Sequence, residues 1–542
     1  MADGSPKSRP VKSRPKTSTS ADRSLVELEN QGQMSPKGKP GFEVIIVGAG
    51  FAGMGAAIEL QKNGIDSFVL LERAEDVGGT WRDNRYPGIA VDISSFVYSF
   101  SFEQNPNWSR VFAPGAELQS YARRVAAKYG IYPKTRFGVN VIKSVFDEHQ
   151  HLWHVHLKDG SVLSSRFLIS ASGGLISPKK PDIQGLDSFK GRVMHTGYWD
   201  DSYDFTGKRV GVIGTGATAV QMVPELARKA ARLDVYQRTP IWVLKKPDAE
   251  IPSLLKTTFR VLPIAQKAVR AVADVLTESI MVGTTLYYRQ IPGLVRWAES
   301  GCKNNLLEQI PNDPELREKL TPKYGFGCKR PTFSNEYFKT YTRDNVELVT
   351  DPIECVTDRG IRTRDGKERD IDVLITATGY RVFEKGNLPS FEVYGRGGLE
   401  LGQFWEDQRY QAYEGTTVPR FPNYFGMLGP YALTGSSYFK MVENHSTHAV
   451  RCIKEARKTG TTCVEIRQGP HERYFQDIQR RQQSTVFLNH SCSGSNSYYF
   501  DKNGDAPMLR PSTSVEAQWR AKHSPMKHYR FTRAEVPAPA GA

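Results

Sequence analysis

The stretch Phe42-Glu-Val-Ile-Ile-Val-Gly-Ala-Gly-Phe-Ala-Gly53 decides the fold of this chain. Its run of Val and Ile is typical of a parallel strand buried on both faces, and it leads directly into G-x-G-x-x-G at Gly48, Gly50 and Gly53. The first glycine makes a tight turn, the second lets a pyrophosphate approach the backbone, and the third lets a helix pack on the strand. The next predicted strand ends at Glu72, roughly 20 residues later, where a carboxylate can accept hydrogen bonds from ribose hydroxyls.

A second copy of the pattern, Lys208-Arg-Val-Gly-Val-Ile-Gly-Thr-Gly-Ala-Thr-Ala219, predicts a second dinucleotide-binding fold. Its phosphate loop comprises Gly214, Thr215, Gly216, Ala217 and Thr218. At the position that corresponds to Glu72, this copy has Arg238, followed by Thr239. A glutamate there favours a free ribose 2′-hydroxyl, as in FAD or NAD, whereas an arginine favours the 2′-phosphate of NADP. The alternative, two purely structural turns, leaves this opposite charge unexplained.

The number and spacing of the cysteines limit which disulfide, metal and redox sites the chain can contain. The chain has 542 residues and six cysteines, at positions 302, 328, 355, 452, 463 and 492, and none of them forms a C-x-x-C pair. This spacing argues against a disulfide scaffold, a zinc ribbon and a thioredoxin-type redox pair, and it favours unpaired thiols in a reducing, cytoplasmic compartment. No metal site is predicted. If NADPH reduces FAD in this chain, the protein has no second acceptor, so dioxygen is the expected electron acceptor.

The formal net charge of +15 is the unusual feature of the composition, and it raises nucleic acid, a membrane surface or a basic tail as explanations. Residues 1–40 contain two copies of K-S-R-P and no apolar run, which predicts a disordered basic tail. No uncharged apolar stretch approaches the roughly 20 residues of a membrane span. The stretch 253–290 predicts amphipathic helices packed on the protein core, with a lipid surface as the alternative.

Two further segments are more specific. The first is Gly78-Gly-Thr-Trp-Arg-Asp-Asn-Arg-Tyr-Pro-Gly-Ile-Ala-Val-Asp92, and the second is Phe189-Lys-Gly-Arg-Val-Met-His-Thr-Gly-Tyr-Trp-Asp200. With them the sequence closely resembles the FAD- and NADPH-dependent (type I) Baeyer–Villiger monooxygenases, whose fingerprint F-x-G-x-x-x-H-x-x-x-W is matched by Phe189, Gly191, His195 and Trp199. Flavin-containing N- or S-oxygenases have a related fingerprint with Tyr in place of Trp199, and they remain the alternative.

The resemblance implies roles for individual residues. Arg330 matches a permanent cation beside the flavin, and Asp92 matches the carboxylate that orients it. Lys329 matches a contact to the NADP 2′-phosphate, as do Arg238 and Thr239. His195 is interpreted as part of an interdomain hinge rather than as a proton donor. The remaining expected cofactor contacts are Gly48, Gly50, Gly53, Glu72, Gly79, Thr80, Trp81, Tyr86, Gly214, Thr215, Gly216, Ala217 and Thr218.

The resulting fold class is α/β, with two Rossmann-like dinucleotide-binding domains and a helical insertion. The expected FAD domain is discontinuous, with residues 41–195 as its first part and residues 372–542, including the substrate and control loops, as its second. The expected NADP domain spans residues 196–371 and contains the helical insertion at about 251–320. A loop at 431–437 is expected to line the substrate pocket, and Tyr498 stands in a C-terminal loop where the family often has Trp.

The resemblance implies an enzyme that uses NADPH, FAD and O2 to insert one oxygen atom next to a ketone carbonyl, giving an ester or lactone. Sulfide oxidation is a conceivable side activity. A redox-inactive binding protein that keeps both nucleotide folds is the alternative from another class. A small-molecule ketone is the expected partner and nucleic acid is not. Peripheral membrane contact, and the choice between a monomer and a homo-oligomer, stay open.

Overall fold

The structure is a computed structural model that describes residues 40–534, apart from positions 434 and 436. The predicted tail at 1–40 therefore lies outside the described residues, except for its last position. The larger sheet is built around the parallel strands Phe42–Val47, Phe68–Leu71 and Val162–Ser170. Its other strands are Thr135–Arg136, Val141–Asp147, Leu152–Leu157, Glu392–Tyr394 and Tyr424–Gly426. Strand Phe42–Val47 lies inside this sheet and is almost wholly buried, which explains its unbroken apolar run.

A second sheet has five strands, and all of its neighbouring strands are parallel. Their order across the sheet is Val346–Val349, Arg232–Tyr236, Arg209–Ile213, Val373–Thr376 and Arg192–His195. This sheet uses residues from 192 to 376, while the larger sheet uses residues on both sides of that range. The exact domain limits stay a prediction. The α/β class and the two Rossmann-like folds expected from the sequence are present.

The remaining strands form three small sheets. The antiparallel one contains Ile353–Val356, Gly360–Thr363 and Glu368–Asp370. Two pairs join Val243–Leu244 to Thr332–Phe333 and Cys463–Ile466 to Tyr529–Thr532. The helices are Phe51–Lys62, Thr80–Asp83, Gly115–Lys128, Ala217–Ala227, Ser253–Val261, Pro263–Thr285, Pro292–Gln309, Pro314–Leu320, Tyr337–Thr340, Leu401–Gln408, Tyr438–Thr459, Gln468–Gln482 and Ser514–His523.

Aromatic packing anchors the first phosphate-loop helix in the core. The ring of Phe51, at the start of helix Phe51–Lys62, lies 4.7 Å from that of Phe439 at the start of helix Tyr438–Thr459. Farther along, Gly55 lets Val442 approach, because a Cβ at that glycine would be 2.4 Å from the Val442 side chain. The C-terminal part of the chain therefore packs directly on the helix that follows the first glycine motif.

The helical insertion contains the helix Pro263–Thr285, called the insertion helix below, and three neighbouring helices. The sequence predicts that its apolar face packs on the core. That prediction is wrong for the middle of the helix, where Gln266 and Arg270 are buried and Val272 and Val275 are exposed. It is confirmed at the two ends of the stretch 253–290, where Phe259 and Val282 are buried. The periodicity predicted an amphipathic helix correctly, but it did not determine which face meets the protein. Among the described residues, no helix combines the length and apolar character that a bilayer span requires.

Candidate active site

The first phosphate loop has the backbone that a pyrophosphate site requires. Gly48 has a φ of 105°, and a Cβ there would lie 2.5 Å from the Ala171 carbonyl oxygen, so only glycine fits this turn. Gly50 faces Gly79 across the loop, where a Cβ on Gly79 would come within 3.2 Å of the Gly50 Cα. Beside them begins helix Phe51–Lys62, whose first N–H groups have no intrahelical acceptor. Two glycine backbones and a helix N-terminus thus form a cradle for a phosphate group.

Glu72 lies directly after strand Phe68–Leu71 and is 5% exposed. Its Oε2 accepts a hydrogen bond of 2.9 Å from the Ala49 N–H, and its Oε1 accepts one of 3.0 Å from the Ala74 N–H. Arg82 completes the environment at 3.2 Å from Oε1. Because a carboxylate offers about four acceptor positions, Glu72 keeps capacity for ribose hydroxyls. The sequence-predicted acceptor is therefore in place and is bonded to the phosphate loop itself.

Trp81 belongs to the short helix Thr80–Asp83, which begins at Thr80 directly after Gly79. Its indole N–H donates to the Tyr98 hydroxyl at 3.2 Å, and the two rings meet edge to face with centroids 5.6 Å apart. Burial raises the pKa of Tyr98, on which the charges of Asp92 and Arg330 also act. Trp81 is thus fixed beside the region that contains these two charged groups.

The second phosphate loop is more open. A Cβ at Gly216 would meet no atom within 4 Å. The Thr215 hydroxyl donates to the Thr239 carbonyl at 2.8 Å, which ties the loop to the end of strand Arg232–Tyr236. Helix Ala217–Ala227 begins here with Ala217 and Thr218, and Ala219 is fully buried. This geometry leaves space above the helix N-terminus for a phosphate group.

Two cations meet beside this second loop. Arg238 is exposed, and burial together with the positive charge of Arg238 lowers the pKa of Lys329 to about 8. Within the described part of the chain, neither cation forms an ion pair with a carboxylate. Thr239 receives a hydrogen bond of 2.9 Å from the Asn496 amide in the C-terminal loop. Two unneutralised cations beside one phosphate loop have the charge that an anion such as a phosphate requires.

A loop of the first fold packs against the second fold. The Tyr86 hydroxyl contacts Gln221 Oε1 at 3.2 Å, and the Gln221 amide donates to the Ala90 carbonyl at 3.0 Å. Gln221 belongs to helix Ala217–Ala227 of the second fold. A Cβ at Gly88 would lie 2.5 Å from the Gln221 carbonyl oxygen, so glycine is needed for this close approach. The loop leads from the first fold across the second and ends at Asp92.

Asp92 and Arg330 form a bidentate ion pair. Arg330 Nε lies 2.6 Å from one carboxylate oxygen of Asp92, and Nη2 lies 2.8 Å from the other. Asp92 raises the pKa of Arg330 well above its ordinary value, against the effect of burial. Burial alone would raise the pKa of Asp92, but the charge and hydrogen bonds of Arg330 leave it below its ordinary value. The pair is therefore ionised, and the guanidinium keeps N–H groups that Asp92 does not use.

The C-terminal loop reaches this ion pair. Tyr499 hydrogen-bonds with Arg330, and Tyr498 packs on Tyr499 with ring centroids 4.9 Å apart. Cys328, which precedes Lys329, is joined by a disulfide to Cys492 in the same C-terminal region. The prediction that all six cysteines are unpaired is wrong for these two. The sequence gives no signal for the pair because 164 residues separate its members and no local motif marks them.

The fingerprint residues lie where the two folds meet. His195 ends strand Arg192–His195, and its Nδ1 accepts a hydrogen bond of 3.0 Å from the Gly197 N–H. Burial lowers the pKa of His195, which keeps the ring neutral. The ring also meets Tyr380 edge to face, and the Tyr380 hydroxyl donates to Asn84 Oδ1 at 2.6 Å. These contacts link the second sheet to the segment after Trp81.

The other three fingerprint residues are structural in their contacts. Phe189 is buried, and a Cβ at Gly191 would collide with its ring at 2.4 Å. Trp199 stacks on Phe205 with ring centroids 5.3 Å apart. Sequence reasoning missed Gln221, Tyr380 and Asn496, which connect the predicted residues to one another. Only Tyr380 had a local signal, since it directly follows the A-T-G segment that ends at Gly379.

Known proteins resemble this chain over most of its length. The pyridine nucleotide-disulphide oxidoreductase family matches residues 45–281. A Baeyer–Villiger monooxygenase of Pseudomonas aeruginosa is 38% identical over 482 residues, which cover 89% of each protein. A Baeyer–Villiger monooxygenase of Streptomyces coelicolor is 35% identical over 500 residues, covering 92% of this chain and 93% of that protein.

Solved structures agree with the sequence relatives. OTEMO in complex with FAD and NADP superposes with a TM-score of 0.79 at 27% identity, covering 91% of this chain and 100% of that one. Cyclohexanone monooxygenase from Rhodococcus sp. Phi1 bound to NADP⁺ gives a TM-score of 0.80 at 26% identity, covering 91% of this chain and 99% of that one. This chain therefore belongs to the Baeyer–Villiger monooxygenase family of FAD- and NADPH-dependent flavoproteins.

Proposed function

We propose that this protein inserts one oxygen atom of O2 next to the carbonyl of a small-molecule ketone, with FAD at the first phosphate loop and NADPH at the second. Ketone, O2, NADPH and one proton become ester or lactone, water and NADP⁺. The observation that carries the proposal is the ionised Asp92–Arg330 pair, which lies at the end of a loop of the first fold that packs against the second. Monooxygenase activity with FAD and NADPH follows from the family, and the residue roles are inferred from this geometry.

The first fold suits FAD. The close approach of Gly50 and Gly79 leaves the backbone accessible to a pyrophosphate, and Glu72 offers acceptors to ribose hydroxyls. Thr80 and Trp81 follow Gly79 on the same side. When bound, FAD supplies the chemistry that activates dioxygen, and NADPH supplies the hydride. The protein contributes binding, orientation and electrostatics.

The second fold suits NADPH. Arg238 and Lys329 provide positive charge for the 2′-phosphate, and Thr239 lies beside them. Gly216 leaves room for the pyrophosphate at the start of helix Ala217–Ala227. The hydrogen bond from Asn496 to Thr239 closes the C-terminal loop toward this site.

Arg330 serves as the permanent cation of the reaction. Oxygen insertion develops negative charge near the ketone carbonyl, and a guanidinium stabilises that charge without changing its own protonation state. Asp92 uses two N–H groups of Arg330 and fixes its direction, while Tyr499 contacts it from the C-terminal loop. Asp92 therefore positions a cation that keeps donors for the developing charge.

The test is the fate of isotopically labelled dioxygen. Purified protein with FAD and NADPH is given a panel of linear, cyclic and aromatic ketones, and the products are analysed by mass spectrometry. We expect one labelled atom in the ester or lactone and the other in water. Amines and sulfides run in parallel as comparison substrates. Oxidation of amines or sulfides with no labelled ester from any ketone would contradict the proposal and favour an N- or S-oxygenase.

A further inference from the structure

The insertion helix Pro263–Thr285 turns its polar side toward the protein. The Gln266 amide donates to the Asn105 carbonyl at 2.7 Å. Four residues later, the Arg270 guanidinium donates to the Ser99 hydroxyl at 2.9 Å and to the Ser99 carbonyl at 3.0 Å, and it also reaches the Phe96 carbonyl at 3.1 Å. Both side chains are almost fully buried. A buried arginine satisfied by three oxygens fixes the rotation of this helix about its axis.

The same polar face continues for two more turns. Asp274 forms an ion pair with Lys440, and Glu278 accepts a hydrogen bond of 2.6 Å from the Ser514 N–H. The four inward residues are spaced four apart, so they lie along one face of the helix. This face makes specific polar contacts with three separate parts of the protein.

The opposite face is apolar and exposed. The exposed apolar side chains at the end of helix Ser253–Val261 and along the insertion helix are together called the outer face. Its members are Val261, Ile264, Val272, Val275, Leu276 and Ile280, most of them more than half exposed. Amphipathic helices of globular proteins normally point this kind of face at the core. Exposed apolar patches of this kind mark surfaces that meet a partner or a membrane.

Two helices that contact the insertion helix carry exposed tryptophans. Trp297 on helix Pro292–Gln309 is 60% exposed, and Trp519 on helix Ser514–His523 is 61% exposed. Val515 is 73% exposed and lies on the same side of its helix as Trp519, four residues away. Ser514, the first residue of that helix, contacts Glu278 of the insertion helix. Tryptophan is the residue type that concentrates at membrane interfaces, because its ring is apolar and its N–H is polar.

The charge on this surface has one sign. Every acidic side chain between residues 251 and 303 is bonded inward: Asp274 to Lys440, Glu278 to Ser514, and Glu299 to the Phe326 N–H at 3.1 Å. The cations of the same stretch that are at least partly exposed are Lys256, Arg260, Lys267, Arg289, Arg296 and Lys303. Among the described residues, none of these six forms an ion pair with a carboxylate. The exposed side of the insertion is therefore apolar with an unneutralised positive border.

We propose that the outer face binds the surface of an anionic phospholipid bilayer, with its apolar side chains in the interface and its cations near the headgroups. Lysine and arginine suit this arrangement because their apolar stems can lie along the lipid while their charged ends reach the headgroups. A second copy of the chain fits less well, since it would bring two unneutralised positive borders together. The helix lies along the membrane surface and does not cross it. This inference stands apart from the proposed reaction.

The first experiment is co-sedimentation of the full chain with two kinds of vesicle. One kind is pure phosphatidylcholine, and the other contains equal parts of phosphatidylcholine and phosphatidylglycerol. We expect the protein to sediment with the anionic vesicles, to stay in the supernatant with the neutral ones, and to be released as salt concentration rises. A supernatant protein in both cases, or equal binding to both kinds of vesicle, would overturn the proposal.

Substitutions on the outer face test whether this surface is the one that binds the vesicles. The double variant Val275→Asp with Leu276→Asp should abolish sedimentation with anionic vesicles, and Lys267→Glu should weaken binding at least about fivefold. The matched control is Ile142→Asp, which changes an exposed apolar residue on strand Val141–Asp147, and it should bind like the wild type. All variants keep the same basic N-terminus and the same two nucleotide folds, so flavin content checks that each is folded.

Two outcomes contradict the proposal. If the double variant sediments as the wild type does, the outer face is not the contact. If analytical ultracentrifugation shows a wild-type dimer that the double variant dissociates, while no vesicle binding is seen, the face covers a second copy instead. In the expected case, anionic vesicles alone shift the tryptophan emission to shorter wavelength, and this shift is smaller in the double variant Trp297→Phe with Trp519→Phe.

Discussion

The residue proposed to bind the ribose is buried in the first fold and hydrogen-bonded to its phosphate loop, whereas in the second fold the corresponding residue is exposed and lies beside another cation. Glu72 accepts from the Ala49 N–H and pairs with Arg82. Arg238 has no carboxylate partner among the described residues, and burial together with the charge of Arg238 lowers the pKa of Lys329. The same glycine backbone therefore serves two purposes. We infer that the first copy holds its cofactor as part of the folded structure and that the second presents charge to a cofactor that is exchanged.

The largest difference between the loops should appear in stability. Glu72→Ala leaves the Ala49 and Ala74 N–H groups without their acceptor and takes one of two carboxylate partners from Arg82, which still pairs with Asp83. Each N–H group left unsatisfied on burial costs about 1–3 kcal/mol. We expect a loss of that size in the free energy of unfolding by urea, together with loss of bound FAD. Arg238→Ala is the control and should change the free energy by about 0.5 kcal/mol or less. Equal destabilisation by both variants would contradict the proposed difference between a structural Glu72 and an exposed Arg238.

A substitution at Arg238, beside the second loop, should change the preference of the enzyme for NADPH over NADH. Arg238→Ala removes a charge-assisted contact to the 2′-phosphate, which is worth about 1.5–3 kcal/mol, or roughly a ten- to hundredfold rise in KM for NADPH. NADH has no 2′-phosphate, so its KM should change little. Steady-state kinetics with both coenzymes measure this. A similar loss for NADPH and NADH would contradict the assignment of Arg238.

The pH dependence of NADPH binding should follow Lys329. Its pKa is lowered to about 8, so it is charged below that pH and becomes neutral above it. The KM for NADPH should therefore rise as pH increases through about 8, while the KM for NADH stays flat. Lys329→Met should raise the KM for NADPH at neutral pH and remove this pH dependence. An unchanged pH profile in that variant would place the titrating group elsewhere.

The smallest expected effect is that of Asn496. Asn496→Ala removes one hydrogen bond to Thr239, and a neutral hydrogen bond contributes about 0.5–1.5 kcal/mol. We expect a rise of a few fold in the KM for NADPH, with the free energy of unfolding unchanged. Asn503→Ala, a change at another exposed asparagine of the same region, is the control. Equal effects of both variants would show that the contact to Thr239 is unimportant.

Local features of the site were predictable from the sequence, and contacts over long distances were not. The glycine turns and Glu72 follow from short patterns, because a phosphate loop imposes its residues at fixed spacing. The pairing of Asp92 with Arg330 came only through family resemblance, since 238 residues separate them. Nothing local indicated that Gln221 would hold the Asp92 loop or that Cys328 would join Cys492.

The insertion helix is a second case in which the local sequence did not predict a long-range contact. Its periodicity predicted two faces, but the choice of buried face depended on oxygen atoms at Phe96, Ser99 and Asn105. Those acceptors lie more than 150 positions earlier in the chain. A hydrophobic pattern cannot report them, because it contains no information about the polarity of the surface that the helix meets.

The central claim is that the two nucleotide folds bind their cofactors so that the reaction takes place at the Asp92–Arg330 pair. The variant Arg330→Ala tests this claim most directly. The measurement is the amount of ester formed for each NADPH consumed, with Arg343→Ala, a change at an exposed arginine elsewhere, as control. We expect the Arg330 variant to keep its FAD and to let NADPH bleach it without oxygen, yet to give no ester in air. Ester formation at the wild-type yield by this variant would contradict the account.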